Sequence, residues 1–292
     1  MSSILSKILK DRRILYLGLK LRLIGLGLCL FKNSPFGIRE SLFRGWYETL
    51  AQGIEHLFIH FHFMNYGYSD TQQAPLYQDP ETLQKQLYKK LLDLSEIKTL
   101  KGLSIAEIGS GRGGGISYIF QTYNPLKAVG IDLAQHAIDA CNKTFGTPGL
   151  SFIQGNAQHL PLVTHNLDLV LNVESSHCYP NFGLFCQEAY RVLKPQGYFL
   201  YADFLTPQTH EKKKADLIKA GFKIKQYKEL TTQVIHSLHL DHDRKISLIH
   251  TTEVPFLIRK SLENFACCIG SPDYKKFISR EWIYVAYVLE KS

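Results

Sequence analysis

Five glycines lie within seven residues, directly after a short apolar run. Residues 105–115 have the sequence IAEIGSGRGGG, with glycines at positions 109, 111, 113, 114 and 115. Two acids flank this loop, because Glu107 precedes Gly109 and Asp132 follows the next apolar run. A backbone with so few side chains can approach a ligand closely. We therefore predict a ligand-binding loop at residues 109–115, with the two acids beside it.

The composition of the loop narrows the chemistry of the ligand. A P-loop would continue with Gly-Lys-Ser or Gly-Lys-Thr, and no such triplet follows here. Gly109, Gly111 and Gly114 match the pattern GxGxxG, so a dinucleotide remains an alternative ligand. Asp132 is placed to bind ribose hydroxyls, as an acid at the end of a second strand does. A ligand with an adenosine and an amino-acid ammonium group would suit Asp132 and Glu107 together.

Short apolar runs alternate with helix-length segments around the loop. This alternation predicts βαβ crossovers, and hence a parallel sheet with helices on both faces and ligands at the carboxyl ends of its strands. A helix is predicted from Asp79 to about Leu94, where Pro80 suits a first turn and the acidic start suits the helix dipole. A further helix is predicted at 215–220. The strands are predicted at 105–108, 128–131, 150–153, 167–173, 198–204, 222–227 and 282–289.

The charge distribution separates the N-terminus from the rest of the chain. The 292 residues carry a formal net charge of +8, and residues 1–40 are rich in lysine, arginine and leucine. Lys20 and Arg22 interrupt the apolar segment 14–31, so it falls short of the roughly 20 apolar residues that a membrane-spanning helix needs. We predict that residues 1–40 are an extension that either binds an anionic membrane surface or packs on the domain.

Neither the cysteines nor the histidines predict a metal site. The six cysteines lack the spacing of a zinc site or a disulfide framework, which favours a reducing compartment and a cytoplasmic location, peripheral to a membrane if the extension binds lipid. His236, His239 and His242 recur every three residues, a spacing that could present a metal-binding face. A solvated helix face is the more common use of that spacing, and we expect no metal.

Four motifs together resemble the class I S-adenosylmethionine-dependent methyltransferases. They are Glu-x-Gly-x-Gly-x-Gly at 107–113, the acid Asp132, GNAQHLP at 155–161 and RVLKPQG at 191–197. A closer resemblance, over roughly residue 40 to the end, is to the phthiotriol and phenolphthiotriol dimycocerosate O-methyltransferases. It rests on MNYGY at 64–68, GRGGGISY at 111–118, NVESSHCYP at 172–180 and GYFLYAD at 197–203.

The resemblance implies a fold and a cofactor. The fold is an α/β, Rossmann-like sheet of seven mostly parallel strands with an antiparallel edge strand, and the cofactor is S-adenosylmethionine. The domain would span residues 41–292. In the family an Asp usually follows the glycine of the third-strand motif, where this chain has Asn156, whose carbonyl can still accept from an adenine amino group. The implied cofactor-binding residues are Glu107, Gly109, Gly111, Gly113, Asp132, Leu133, Asn156, Ala157 and Asn172.

His177 and Asp203 are the candidate catalytic residues. Methyl transfer is an in-line displacement, and a hydroxyl acceptor must also lose a proton, for which a neutral histidine near pH 7 is a common base. His177 follows the fourth predicted strand, at the same edge of the sheet as the glycine loop. Asp203 ends the fifth strand and is predicted to orient or assist the histidine.

A helical insertion predicts the type of acceptor. Residues 229–265 separate the last two strands, a long connection for a compact domain, and we predict a lid or acceptor wall there. Together with the apolar N-terminus, this favours a lipophilic acceptor hydroxyl of lipid, polyketide or sterol-like type. Two alternatives stay open: a C-methyltransferase of quinone or sterol type, and a non-catalytic S-adenosylmethionine sensor.

Nucleic acid is not expected as a partner. The basic charge is concentrated outside the predicted catalytic domain, and the segment 172–175 lacks the Pro-Pro-Tyr or Pro-Pro-Trp loop of base amino-group methylators. The oligomeric state and the identity of the acceptor do not follow from the sequence.

Overall fold

A single seven-stranded sheet organises the protein. The computed structural model describes residues 61–71, 79–251 and 256–292. The strands lie in the order β3-β2-β1-β4-β5-β7-β6. Their bounds are β1 Ser104–Ile108, β2 Lys127–Asp132, β3 Leu150–Gln154, β4 Leu167–Val173, β5 Leu193–Leu205, β6 Phe222–Glu229 and β7 Ile283–Lys291.

Helices cover both faces of this sheet, as predicted. The helices are α1 Thr82–Ser95, α2 Gly114–Tyr123, α3 Gln135–Phe145, α4 Phe182–Val192, α5 Pro207–Lys219, α6 Thr231–Leu240, α7 His242–Thr251, α8 Phe256–Phe265 and α9 Pro272–Ile278. Alternate strand residues face opposite sides, so Ile105 packs into one apolar cluster with α1, α2 and α3 while Ala106 packs into the other with α4 and α5.

The strand order puts the candidate site at one edge of the sheet. β1 pairs in parallel with β2 on one side and with β4 on the other, so the chain reverses its direction of winding between them. The carboxyl ends of such strands form a crevice at this switch point. β5 pairs in parallel with β4, with Val173 opposite Ala202. The segments that follow β1, β4 and β5 are therefore neighbours.

The predicted seven-stranded, mostly parallel sheet with an antiparallel edge is confirmed. β7 is the antiparallel strand, and it lies between β5 and the edge strand β6, antiparallel to both. The helix predicted at 215–220 is the C-terminal part of a longer helix, α5. It begins at Pro207 because the Thr206 side chain accepts the Thr209 N–H at 3.2 Å, an N-cap that the sequence analysis missed.

The segment between β6 and β7 is helical. It contains α6, α7 and α8, as the pattern over 229–265 predicts, and also the short α9. Its function as a lid stays a prediction. The predicted extension at residues 1–40 lies outside the described residues. Within the described ranges, no helix is both long and apolar enough to cross a membrane.

Gly115 sets the distance between α2 and α1. A Cβ added at Gly115 would lie 2.2 Å from the ring of Tyr88, whereas one added at Gly183 in α4 would meet its nearest atom at 3.4 Å. We expect Gly115→Ala to lower the free energy of unfolding by roughly 1–3 kcal/mol through overpacking. Gly183→Ala should be neutral or stabilising, because alanine is the better helix former. Urea unfolding measures both, and equal stability of the two variants would contradict this packing.

Candidate active site

Backbone hydrogen bonds hold the glycine loop against β2. The N–H groups of Gly109 and Ser110 both donate to the carbonyl oxygen of Ile131, at 2.7 and 3.0 Å. Gly109, Gly111 and Gly113 have φ values of 73°, 52° and 80°, in the left-handed region that favours glycine. The alternating glycines of the motif are therefore required by the path of the turn.

Asp132 connects this loop to the next crossover. Its Oδ2 accepts the N–H of Gly111 at 2.8 Å, and its Oδ1 accepts the N–H of Ala134 at 3.0 Å. Its side chain also lines two adjoining cavities. The structure therefore brings Asp132 to the glycine loop at the end of β2, where the sequence analysis expects it.

Glu107 lies beneath the loop and is only 1% exposed. Its Oε1 accepts the hydroxyl of Tyr88 at 2.6 Å, and its Oε2 accepts the N–H of Ile116 in the first turn of α2 at 2.8 Å. Burial raises the pKa of Glu107 to about 7. Its observed contacts support the loop from below, and direct contact with a ligand stays a prediction.

A cavity of about 530 Å³ lies at the carboxyl edge of the sheet. It extends from the glycine loop to the ends of β4 and β5, so it joins the two halves of the predicted site. A ligand in this cavity would contact the loop and the candidate catalytic residues at once. Its lining includes Gly109, Ser110, Gly111, Glu174, His177 and Trp282.

A smaller cavity of about 60 Å³ adjoins the first. Leu133, Asn156 and Ala157 line it, at the ends of β2 and β3. The two cavities have four lining residues in common and so form one groove along the edge of the sheet. The shared residues are Gly109, Asp132, Ser175 and Cys178.

Asn172 is fully buried behind this groove. Its Nδ2 donates to the carbonyl oxygen of Ile108 at 2.8 Å and to the hydroxyl of Tyr179 at 3.0 Å. It therefore connects the end of β4 to the end of β1. Tyr179 lines the smaller cavity, so Asn172 reaches the groove through that side chain, and its own contact with a ligand stays a prediction.

His177 and Asp203 form a hydrogen-bonded pair. His177 lies in a 3-10 turn at Ser176–Cys178, and its Nδ1 is 2.8 Å from Oδ1 of Asp203. Asp203 is fully buried, and its Oδ1 also accepts the N–H of Phe204 at 2.9 Å. Burial would raise the pKa of Asp203, but His177 and Lys213 lower it to about 2. The ionised carboxylate therefore holds a proton on Nδ1, which leaves Nε2 as the acceptor of the ring.

The pairing also changes the proton affinity of His177. Burial lowers the pKa of the imidazole, but Cys178 and the Asp203 carboxylate outweigh burial and hold it well above its usual value. The role of base predicted from the sequence requires a neutral ring near pH 7. The pair instead favours the protonated ring, so the base form requires a higher pH than an isolated imidazole does.

Comparison with known proteins places the groove in a family. Residues 106–201 match the family described as methyltransferase domain. The chain is 32% identical, over 86% of its length and 93% of the relative, to a phthiotriol/phenolphthiotriol dimycocerosates methyltransferase of Mycobacterium tuberculosis. It is 33% identical to a fatty-acid O-methyltransferase of Mycolicibacterium smegmatis, over 70% of this chain and 74% of the relative.

The chain belongs to the S-adenosylmethionine-dependent methyltransferases. Solved structures agree on the fold. A putative sarcosine dimethylglycine methyltransferase from Galdieria sulphuraria superposes with a TM-score of 0.69 at 11% identity, covering 83% of this chain and 98% of that one. The cyclase SpnF superposes with a TM-score of 0.66 at 15% identity, covering 84% and 96%.

Glu174 is a residue of the methyltransferase site that the sequence analysis did not assign. It directly follows β4 with a φ of 47°, an uncommon left-handed conformation for a residue with a side chain. Its Oε1 accepts the N–H of Tyr66 and the hydroxyl of Tyr284, both at 2.9 Å. The only sequence signal was an acid at the end of a strand, within the motif NVESSHCYP.

An extended segment crosses the methyltransferase site. We call residues 61–71 the strap. The N–H of Gly114 donates to the carbonyl oxygen of His62 at 3.2 Å, and Ser237 Oγ donates to the carbonyl oxygen of Tyr66 at 2.9 Å. With the Glu174 bond to Tyr66, the strap is joined to α2, α6 and the end of β4. Residues 62–66 line the larger cavity.

Aromatic side chains form one wall of the larger cavity. The ring of Phe204 lies 4.4 Å from that of His177 and 4.7 Å from that of Trp282, between centroids. Tyr66 of the strap lies 5.3 Å from Phe204. We call Tyr66, Phe204 and Trp282 the aromatic wall, and it lies directly beside the candidate base.

The histidines at 236–242 have contacts other than a metal. His239 Nε2 is 2.7 Å from the hydroxyl of Tyr274, and His242 Nδ1 accepts the N–H of Ile269 at 3.2 Å. Across the described ranges, His, Cys, Asp and Glu side chains form no group of three or more with the arrangement of a metal site.

The half-buried Glu174 makes the stability of the methyltransferase depend on pH. Burial raises the pKa of Glu174 to about 7, so its contribution is complete below its ordinary pKa and is lost as pH rises through about 7. Gln at this position keeps an oxygen for Tyr66 and Tyr284 and removes the charge. We expect Glu174→Gln to match the native free energy of unfolding at pH 5 and to exceed it by about 2 kcal/mol at pH 8.5.

Urea unfolding at the two pH values measures this difference. Glu290→Gln, at a partly exposed carboxylate of β7 away from the cavity, is the control and should give a smaller change with pH. If Glu174→Gln changed the free energy of unfolding equally at both pH values, the raised pKa of Glu174 would be contradicted.

Proposed function

We propose that the protein methylates a hydroxyl group of a lipophilic small molecule, with S-adenosylmethionine as methyl donor. One observation carries the proposal: the His177–Asp203 pair, the aromatic wall and the glycine loop all border the same cavity or directly support its lining. A base, an apolar acceptor surface and a cofactor loop are the parts that such a reaction needs.

The residues at the loop fit the cofactor. Ser110 lines the cavity, and its hydroxyl is buried with no hydrogen-bond partner among the described residues. A Cβ at Gly111 would meet only Met64 Sδ, at 3.3 Å, so the loop is open towards the cavity on that side. A ligand group that reached this hydroxyl would supply the hydrogen-bond partner that a buried polar group requires.

The predicted cofactor residues then divide by their contacts. Gly109 and Gly111, which line the cavity, would hold the methionine half, Asp132 with Leu133 the ribose, and Asn156 with Ala157 the adenine. Gly113 lines neither cavity and would contribute through the turn that it allows. Glu107 and Asn172 would contribute through the groups they hold, which are the first turn of α2 and Tyr179. When bound, the cofactor supplies an activated methyl group for in-line transfer to a nucleophile.

His177 and Asp203 would perform the proton chemistry of the reaction. Nε2 of His177 accepts the proton of the acceptor hydroxyl while Asp203 holds Nδ1–H and stabilises the imidazolium that forms. The hydroxyl oxygen becomes the better nucleophile as that proton leaves. Asp203 does not need to change protonation state, since His177 and Lys213 keep its pKa low.

The acceptor class follows from the wall beside His177. Tyr66, Phe204 and Trp282 offer apolar surface, which suits a lipophilic molecule. The names of two relatives, a dimycocerosates methyltransferase and a fatty-acid O-methyltransferase, support a lipid acceptor. Phe265 of α8 also lines the cavity, which supports a role for residues 229–265 as an acceptor wall. Contact of residues 1–40 with an anionic membrane stays a prediction.

Transfer of labelled methyl groups tests the function. We expect the purified protein, given methyl-labelled S-adenosylmethionine and a lipid extract of its source cells, to transfer label into the organic phase. Asp132→Ala should abolish transfer by weakening cofactor binding, measured separately by calorimetry. Label that stays in water-soluble products would contradict the lipophilic acceptor, and mass spectrometry of the product identifies the methylated atom.

The effect of replacing His177 distinguishes a hydroxyl acceptor from a carboxylate acceptor. A hydroxyl needs a base, whereas a fatty-acid carboxylate is already ionised at pH 7. We expect His177→Ala to lower kcat on hydroxyl acceptors about 100-fold or more, with cofactor affinity unchanged. The native rate should rise with pH through the raised pKa of His177. A variant with full turnover, or a rate that is flat across pH 6–9, would contradict the role of His177 as the base.

A further inference from the structure

Lys213 is a buried cation beside Asp203 to which no role in the proton transfer has been assigned above. It lies in α5, is 7% exposed and lines the larger cavity. Its Nζ donates to Ser176 Oγ at 2.8 Å and to the hydroxyl of Tyr201 at 3.3 Å, and lies 3.6 Å from Oδ2 of Asp203. The ammonium group therefore reaches the carboxylate that holds the candidate base.

Burying this charge costs free energy. Burial lowers the pKa of Lys213, and Asp203 opposes that change only in part. The ring of Phe182 lies 4.5 Å from Nζ and stabilises the cation. An apolar side chain of similar volume is often equally or more stable in such a position. Folding stability alone therefore does not account for a lysine here, and a role in the candidate active site would account for it.

The hydrogen bonds form a continuous chain from Lys213 to His177. Lys213 donates to Ser176, whose hydroxyl donates to Oδ2 of Asp203 at 2.6 Å. Oδ1 of the same carboxylate is occupied by His177 Nδ1 and the N–H of Phe204. Hydrogen bonds thus fix both oxygens of Asp203. The imidazole is therefore held by a carboxylate that cannot rotate freely.

We propose that Lys213 is a positioning residue that acts through Ser176 and Asp203 to orient His177 and to limit how strongly Asp203 retains the histidine proton. The inference rests on the proposed function, because it concerns the base of that reaction. With Lys213 present, the carboxylate of Asp203 is the counter-ion of two cations, Lys213 and protonated His177. Without it, His177 is the counter-charge of a fully buried carboxylate and holds its proton to a higher pH.

Other titratable groups surround this network and enter the same balance. Glu174 after β4 and Tyr284 in β7 interact with Asp203, as does Tyr66 of the strap. Cys178 beside His177 and Cys186 in α4 interact with Lys213. Tyr201 in β5 accepts from Lys213. These groups are neutral or anionic; among the described residues, the ion pairs of Asp203 are with His177 and Lys213.

The test uses variants that separate charge from hydrogen bonding. Lys213→Met removes both, Lys213→Gln keeps a donor for Ser176 without the charge, and Lys213→Arg keeps the charge. Lys214→Met is the matched control, since Lys214 lies on the same helix and outside the cavity lining. Two quantities are measured on the full chain: the titration midpoint of His177 by NMR without substrate, and the pH profile of methyl transfer.

We expect Lys213→Met and Lys213→Gln to raise the NMR midpoint of His177 by about one pH unit, which lowers the rate about 10-fold at a fixed pH below the midpoint. Lys213→Arg and Lys214→Met should keep the native midpoint, and KM for the cofactor should not change. A merely structural lysine would change thermal stability without moving the midpoint. If Lys213→Met fails to fold, the Gln and Arg pair still makes the comparison.

The outcomes separate the inference from the proposed function. An unchanged midpoint in the folded Met or Gln variant would overturn the role of Lys213. A midpoint that rises in the NMR titration would support that role. If the methyl-transfer profile then failed to follow the NMR midpoint, Lys213 would still tune the pair, but His177 would not be the base of the reaction.

Discussion

The site depends on carboxylates that are held, partly or fully buried, at the carboxyl ends of neighbouring strands. Glu107, Asp132, Glu174 and Asp203 lie in or directly after β1, β2, β4 and β5, and each accepts hydrogen bonds from a backbone N–H. An unpaired carboxylate would be too costly at such positions. The bonds that satisfy these acids also fix the glycine loop, the strap and the imidazole, so the burial of the acids organises the groove.

Much of this site could be predicted because its signals are local. The glycine spacing requires left-handed backbone, apolar runs identify parallel strands, and the carboxyl ends of those strands meet at one edge. His177 and Asp203, 26 residues apart, come together for that reason alone. Glu107 was predicted at the loop, but its partner Tyr88 could not be inferred, since α1 packs there through contacts without a sequence pattern.

The remaining features depend on contacts between distant segments. Glu174 binds the strap at Tyr66, which is 108 residues away in the chain. Lys213 reaches Asp203 only because α5 begins at Pro207, and the sequence pattern showed that helix only from residue 215. β7 inserts between β5 and β6 because its side chains fill both apolar clusters, whereas strand order is not encoded in the period of any one strand. Such positions follow from packing, which local propensity does not determine.

The aromatic wall and the cofactor groove come from different parts of the chain. Tyr66 belongs to the strap, Phe204 to β5 and Trp282 to the turn before β7, while the glycine loop and Asp132 belong to the β1–α2 and β2–α3 connections. The wall and the loop therefore have no residue in common. Under the proposed function, point changes in three separate segments would alter the acceptor surface without replacing any residue of the glycine loop.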